Sequence, residues 1–394
     1  FPSGAFSRVN SGANGNSGGI DITASSLIVS DRAQIDSDAY GTGSSGNITI
    51  EVQNVSLFNS IIISEVSEGG GVGDGGDINI KTGTLLLKNG SALLADLENQ
   101  GSAGNIEIEA RDAVILEGTG PGAQSGSLQR SNIVPNQITA TVDPTAVAID
   151  TGGRAGNISI TTDSLSLTDR GFISVNTFGR GDAGSINIDA RQLRLSSGAQ
   201  ISASTSGSGN AGNLSVVNAD LVELVGADAA RGIPSSLFAR VTSNGSGAAG
   251  NLTVETRQLD IRDGAEISVS SFGSGVAGNL DVTAGDLRLD NGSLEATTTT
   301  GDRGNINVRS RTIGMRRGSR IATNASGDAS GGNINVDTRL LIAAPTENND
   351  IIANAVRGRG GNISINAEAI FGIQQRSQRT PLSDITASSE LGVD

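Results

Sequence analysis

A short motif of the form Gly-Asn-Ile-x-Ile recurs twelve times along this chain of 394 residues. Its first residues are Gly18, Gly46, Gly76, Gly104, Gly156, Gly184, Gly212, Gly250, Gly278, Gly304, Gly332 and Gly361. Successive copies lie 26 to 30 residues apart, except for two wider spacings of 52 and 38 residues. Such a fixed period predicts a repeat architecture in which each unit packs mainly on its neighbours.

Each repeat contains short segments in which aliphatic and polar residues alternate. In the unit from Gly184 to Ala211 these segments are INI, LRL and ISA, with Ser and Gly clusters after the second and third. This alternation predicts strands with one buried face, and the clusters predict turns.

Aliphatic residues also recur at equal distances from the motif glycine, so they would lie above one another if each repeat were one turn of a coil. At nine residues after it stand Leu27, Val55, Leu85, Leu165, Leu193, Leu221, Leu259, Leu287, Ile313, Leu341 and Ile370. At seventeen residues stand Ile35, Ile63, Leu93, Ile173, Ile201, Ile267 and Ile321.

The sequence therefore predicts an all-β fold, a right-handed parallel β-helix (solenoid) of about twelve rungs of ~28 residues with three short strands per rung. Right-handedness follows because connections between parallel strands are almost always right-handed. A β-propeller is the main rival, but its blades need roughly 40 residues and four strands. We expect residues 1–394 to form a single β-solenoid. Because the chain begins at Phe1, we expect it to be a fragment of a longer protein.

Two stretches interrupt the period. The wider spacings predict an inserted loop over residues 117–140 and a smaller one over 226–236. Loops that project from one side of a solenoid often carry its contacts, although many are merely tolerated.

Asparagine follows the motif glycine in nine of the twelve copies. Asn accepts left-handed backbone at a tight corner, and stacked Asn amides can hydrogen-bond from one turn to the next. These residues predict a structural corner ladder rather than a ligand site. They are Asn47, Asn105, Asn157, Asn213, Asn251, Asn279, Asn305, Asn333 and Asn362.

Composition excludes several chemistries. The chain has no His and no Cys, so it has no Ser–His–Asp triad, no thiol nucleophile, no imidazole general base and no zinc site of the usual ligands. A net charge of -14 argues against nucleic-acid partners, and no apolar run is long enough for membrane insertion by a helix. Gly-x-Gly-x-x-Gly patterns precede strands rather than helices, so we expect no cofactor. A weak calcium site at Asp74 and Asp77 is the one metal candidate.

The repeats resemble those of filamentous haemagglutinin-like exoproteins of the cyanobacterial type, which are exported by two-partner secretion. The matching text includes AGNISITTDSLSLTDRGFISVNTFGRGDAGSINI and AGNLTVETRQLDIRDGAEISVSSFGSGVAGNL, and the resemblance covers nearly the whole chain. It implies a right-handed β-helix that is secreted through an outer-membrane transporter and acts at the cell surface or in the extracellular matrix. The sequence contains no Asn-Pro-Asn-Gly type motif of the family's secretion domain, so we expect the secretion signal to be either removed or upstream.

The leading functional expectation is a non-enzymatic structural protein, a β-helical adhesin or fibre subunit. Residues 301–394 carry a net charge of +2 and the remainder carries -16, so we expect self-association end to end into filaments. A polysaccharide-active β-helix enzyme of the lyase or tailspike type is the alternative, and carboxylates converging with aromatic residues would favour it. A third possibility is a glycan-binding module that holds a surface polysaccharide with the inserted loops.

Overall fold

The computed structural model describes residues 3–67, 72–98, 100–120, 134–142, 152–301 and 304–391. In those ranges all regular secondary structure is β-strand. Stacked parallel strands form a β-solenoid of about 12 turns, with equivalent positions about 29 residues apart. The prediction of an all-β parallel solenoid is therefore confirmed.

A long strand opens each turn at the first aliphatic residue of the motif. The first two predicted segments lie together in this strand, and one ladder pair is missing where they meet, as between Ala24 and Ser26. The long strands are β2 (Ile20–Ser30), β4 (Ile48–Phe58), β6 (Ile78–Lys88), β8 (Ile106–Glu117), β12 (Ile158–Leu167), β14 (Ile186–Ser196), β16 (Leu214–Val225), β18 (Leu252–Arg262), β20 (Leu280–Asp290), β22 (Ile306–Arg316), β24 (Ile334–Ala343) and β26 (Ile363–Phe371).

The third predicted segment forms a short strand in each turn. These strands are β1 (Gly4–Phe6), β3 (Gln34–Asp36), β5 (Ile61–Ile63), β7 (Ala92–Leu94), β11 (Gln137–Thr139), β13 (Phe172–Ser174), β15 (Gln200–Thr205), β17 (Ser236–Val241), β19 (Glu266–Ser271), β21 (Ser293–Glu295), β23 (Arg320–Ala322), β25 (Asp350–Ile352) and β28 (Asp384–Thr386). Three further strands are β9 (Thr119–Gly120), β10 (Val134–Pro135) and β27 (Gln374–Gln375).

The chain divides into two compact units. The first comprises Phe1–Ala190 and Ala199–Gly212, and the second comprises Arg191–Gly198 and Asn213–Asp394. In the first unit the long strands follow the order β2-β4-β6-β8-β12, and the short strands follow β1-β3-β5-β7-β11-β13-β15. In the second unit the orders are β16-β18-β20-β22-β24-β26 and β17-β19-β21-β23-β25-β28-β27. In both units chain order and stacking order agree until β27.

Aliphatic columns fill the interior of each unit. Ile48, Ile78 and Ile106 occupy equivalent positions of three paired long strands, and their exposed fractions are 0%, 0% and 1%. In-register parallel stacking places aliphatic side chains on one another from turn to turn, so each column excludes water along the buried part of its length. Roughly 25 cal/mol is gained per Å² of apolar surface that these columns bury.

Two residues predicted for the columns lie elsewhere. Ile62, not Ile63, pairs with Ile35 and Leu93 in the interior. The turn before β5 has one left-handed residue, Asn59, whereas the turn before β3 has two, and the shorter turn moves the register by one residue.

The second error is at Leu221. Val222 is buried and pairs with Leu259, because a bulge shifts the register of β16 between Val216 and Ala219. Asn218 in this bulge has a φ of 59°. One extra residue turns the following side chains to the other face, so a fixed offset from the motif fails here.

The motif glycines stack directly on one another. A Cβ atom on Gly332 would lie 1.7 Å from the carbonyl oxygen of Gly304, and one on Gly212 would lie 1.6 Å from that of Gly184. Neither glycine has a positive φ. The motif therefore requires Gly for close approach of successive turns rather than for unusual backbone geometry.

The two predicted insertions form different local structures. Residues 121–133 of the 117–140 loop lie outside the described residues, and at its base β9 and β10 pair antiparallel. Its last residues include β11, a short strand of the first unit. The 226–236 insertion is a compact turn in which the Asp228 amide donates to the Ile233 carbonyl (2.7 Å).

Candidate functional site

The nine corner asparagines form ladders along each unit. In the second unit the Asn279 amide donates to Oδ1 of Asn251, and the Asn251 amide donates to Oδ1 of Asn213, both at 2.9 Å. In the first unit Asn157 donates to Asn105 in the same way, also at 2.9 Å. In each of these pairs the side-chain oxygen thus satisfies a backbone N–H of the next turn.

Left-handed backbone does not explain the corner asparagines. All nine lie in the described part of the chain, and none has a positive φ. The left-handed positions follow the long strands instead, for example at Asn59, Asn89 and Asn291. That part of the prediction was wrong: the corner selects Asn for its side-chain acceptor, and a different turn uses its conformational tolerance.

Replacing Asn251 with Ala removes the acceptor of the Asn279 amide. We expect the free energy of unfolding to fall by about 1 kcal/mol, since water can partly replace the lost bond at this exposed corner. Asn251→Asp is the matched control because Asp77 already accepts the Asn105 amide at 2.8 Å in the first unit. Denaturant titration followed by circular dichroism measures both variants. Equal losses for Ala and Asp would contradict the role of the side-chain oxygen.

The two candidate calcium ligands take part in the same ladders. Asp77 Oδ1 accepts the Asn105 amide, and Asp74 Oδ1 accepts the Ser102 amide at 2.9 Å. Across the described ranges, no group of three or more His, Cys, Asp or Glu residues is arranged to hold a metal ion. The geometry thus assigns both carboxylates a hydrogen-bonding role between turns.

An acidic cluster lies at the end of β3 and just after β3, β5 and β7 in the first unit. It comprises Asp36, Asp38, Glu65, Asp96 and Glu98. Four of these side chains are nearly inaccessible, with exposed fractions of 1% for Asp36, 0% for Asp38, 5% for Glu65 and 6% for Glu98. Buried carboxyl groups need hydrogen-bond partners.

Backbone amides and hydroxyls supply those partners. Asp38 accepts from the Glu65 amide and from the Tyr40 hydroxyl, both at 3.0 Å. Asp96 accepts from the Thr141 amide at 2.7 Å, and Glu65 accepts from the Ser67 hydroxyl at 3.0 Å. Asp38 and Asp96 therefore repeat the turn-to-turn hydrogen bonding of the corners, whereas Glu65 accepts a hydrogen bond within its own turn.

The cluster has unusual electrostatics. Burial raises the pKa of the Asp38 carboxyl well above its ordinary range, and the charge of Asp36 raises it further. Burial also raises the pKa of Glu65 strongly, with added contributions from Asp38, Glu98 and Asp96. Carboxyl groups of raised pKa can act as general acids, but these two are closed off from solvent and bonded to the chain itself.

The second unit ends in an open hollow of about 910 Å³. Ile363, Ile365 and Ile370 of β26 line it, together with Ile385 of β28. β26 is the last strand of its sheet, and the exposed fraction of Ile370 is 42%. The interior columns of the solenoid are therefore open to solvent at this end.

A capping segment covers only part of this end. β27 pairs with β28 on its outer edge, so the chain passes beyond β28 before it returns to form it. Arg376 forms an ion pair with the fully buried Asp384, and Arg379 binds the fully buried Asp350 at 2.9 Å. These contacts fix the cap over the short strands and leave the edge of β26 free.

Comparison with known proteins returned no match to any family model, curated protein or solved structure. In the described part of the chain, no helix has the length and apolar character needed to cross a membrane.

Sequence reasoning missed the acidic cluster although a signal existed. Asp38, Glu65 and Asp96 stand 19 or 20 residues after their motif glycines, which is a third recurring offset. Among 41 acidic residues this recurrence attracts no notice without the burial that the fold provides.

Proposed function

We propose that the protein is a non-enzymatic structural component of the cell surface or extracellular matrix, a β-helical adhesin or fibre subunit whose copies stack end to end. The observation that carries this proposal is the open end at β26. Aliphatic columns exposed at a strand edge favour addition of another strand with the same alternation.

The first turn supplies a strand of that kind. β2 is the first strand of its sheet, and Ile20, Ile22 and Leu27 on it are half-buried. These residues stand at the same distances from their motif glycine as Ile363, Ile365 and Ile370. Opposite net charges, +2 for residues 301–394 and -16 for the remainder, support a head-to-tail contact. A contact between two different surfaces repeats without closing and builds filaments.

The finer assignment depends on the repeat text alone. The likeness to filamentous haemagglutinin-like exoproteins supports the proposals that the chain is secreted and that an outer-membrane two-partner-secretion transporter exports it. Pulse-chase secretion of the full-length protein, with and without the transporter, tests this assignment separately from assembly.

Ile370→Glu tests the end contact. A carboxylate placed in the open column would have to be buried without a partner when a second copy stacks, so we expect filament formation to be lost. Ile342→Glu is the matched control, since Ile342 has the same exposed fraction of 42% but faces outward on β24. Sedimentation and electron microscopy measure assembly, and circular dichroism verifies the fold. Filaments that persist in Ile370→Glu, or that are also lost in Ile342→Glu, would contradict the proposed contact.

A polysaccharide-active enzyme is the second candidate, and the acidic cluster is the observation that favours it. Asp38 and Glu65 have raised pKa values, and Asp38 accepts a hydrogen bond from the Tyr40 hydroxyl. Against this, both carboxyl groups are buried and hydrogen-bonded to the chain. Release of reducing ends from soluble polysaccharides, abolished by Asp38→Asn, would establish the enzymatic alternative.

A further inference from the structure

One arginine in the second unit, Arg240, lies within 6 Å of two aromatic ring centres. The guanidinium carbon of Arg240 is 4.1 Å from the ring centre of Phe238 and 5.8 Å from that of Phe272. Leu237 and Ala239, its neighbours on β17, are fully buried in the interior, so Arg240 faces outward.

The guanidinium of Arg240 has unused hydrogen-bonding capacity. It makes no hydrogen bond to any residue in the described part of the chain, and its Nε atom is buried without a partner. The nearest carboxylate oxygen, Oε1 of Glu266, is 3.7 Å from one terminal nitrogen, which is beyond hydrogen-bond distance. A buried N–H group without an acceptor is uncommon in folded proteins.

A second arginine, Arg8, stands in a similar local sequence and has the hydrogen-bond acceptor that Arg240 lacks. Phe6-Ser7-Arg8 and Phe238-Ala239-Arg240 share the pattern Phe-x-Arg. Arg8 also lies over an aromatic ring, 4.4 Å from the centre of Phe6, but it donates from Nε to Asp36 at 2.8 Å. Asp36 pairs with Phe6 across the strands, whereas Ser268 pairs with Phe238. A serine at this position is too short and carries no charge, so it does not accept hydrogen bonds from the N–H groups of Arg240.

Acceptors and an exposed ring surround these donors. Phe272 is 42% exposed, and Glu295 pairs with Ser268 on the next strand. Burial, with the charge of Glu295, raises the pKa of Glu266. Two carboxyl groups beside one guanidinium leave no excess positive charge. The set therefore suits a ligand that is uncharged, rich in hydroxyls and flat on one side.

We infer that Phe238, Arg240, Glu266, Phe272 and Glu295 form a binding site for a neutral polysaccharide. The exposed face of Phe272 stacks on a sugar ring, Arg240 donates to ring hydroxyls, and the two glutamates accept from neighbouring hydroxyls. This inference rests on the proposed adhesive function and supplies its ligand class.

Affinity electrophoresis in gels that contain dextran or another soluble neutral glucan tests the site. We expect at least one neutral glucan to retard the protein, and both Arg240→Met and Phe272→Ser to weaken binding about tenfold or more. Met keeps the length of the arginine stem and removes its donors. Phe371→Ser is the control, because Phe371 is 58% exposed outside this site and its removal should leave retardation unchanged.

Absence of retardation by every neutral glucan would overturn the inference, and so would variants that bind as the native protein does. Tighter binding of polygalacturonate than of neutral glucans would also overturn it, since it would show an acidic ligand. Sedimentation of the same variants separates the two proposals. Filaments without glucan binding would defeat only the site, and glucan binding without filaments would defeat only end-to-end assembly. Circular dichroism verifies that each variant is folded.

Discussion

Gly332→Ala is expected to destabilise the solenoid by at least about 3 kcal/mol, the upper end of the range for overpacking a rigid site. The new Cβ would lie 1.7 Å from the Gly304 carbonyl oxygen and 2.8 Å from its carbonyl carbon. Both atoms belong to the backbone of the preceding turn, so no side-chain rotation relieves the clash. The two turns must separate, which weakens the β22–β24 ladder that joins them.

Gly314→Ala is the matched control because this glycine also lies in the second unit. A Cβ there would meet no heavy atom within 4 Å, and its φ is not positive. Replacement should therefore raise stability by about 0.4 to 1 kcal/mol, since Ala restricts the unfolded chain. Denaturant unfolding followed by circular dichroism gives both values. Similar effects of the two substitutions would show that close approach does not explain the motif glycine.

Much of the fold follows from the motif, because the close contact between stacked glycines and the aliphatic columns together set the register of the strands. The Gly-Asn-Ile-x-Ile text places a stacked glycine, a corner acceptor and two interior side chains at fixed positions in every turn. Errors arose where the number of residues between these points changes by one, as at Ile63 and Leu221. Turns with one or with two left-handed residues both leave the backbone hydrogen-bonded, and so does a strand with or without a bulge. The sequence pattern therefore does not show which of these a given turn contains.

The candidate sites were harder to predict because they depend on which turns are neighbours. Arg8 and Arg240 stand in the same tripeptide pattern, yet only Arg8 has an acidic residue, Asp36, at the stacked position. Likewise, Asp38 is an ordinary surface acid by its local sequence. Its pKa is raised in the folded chain by burial first, with the charge of Asp36 adding to the shift.

The double variant Asp38→Asn, Glu65→Gln is expected to stabilise the first unit at pH 7. Burial raises the pKa of both carboxyl groups in the folded state, with Asp36, Asp96 and Glu98 adding to the shift. A group of raised folded pKa contributes stability that is fully present below its unfolded pKa of about 4. That stability is lost as the pH rises through the folded pKa. The amide oxygen of Asp38→Asn still accepts from the Glu65 N–H, and its NH2 group can donate to the Tyr40 oxygen, so the side chain stays hydrogen-bonded without this loss.

The difference in the free energy of unfolding between the double variant and the native protein should therefore be near zero at pH 4 and should grow toward pH 7. We expect about 1 to 3 kcal/mol there, the usual range for incompletely compensated polar burial. Tyr40 is the only tyrosine, and the chain has no Trp, so its fluorescence reports the first unit during denaturant unfolding. A gap independent of pH would show that Asp38 and Glu65 titrate as ordinary surface acids. A gap that grows with pH would show that ionising these two buried carboxyl groups lowers the stability of the first unit at neutral pH.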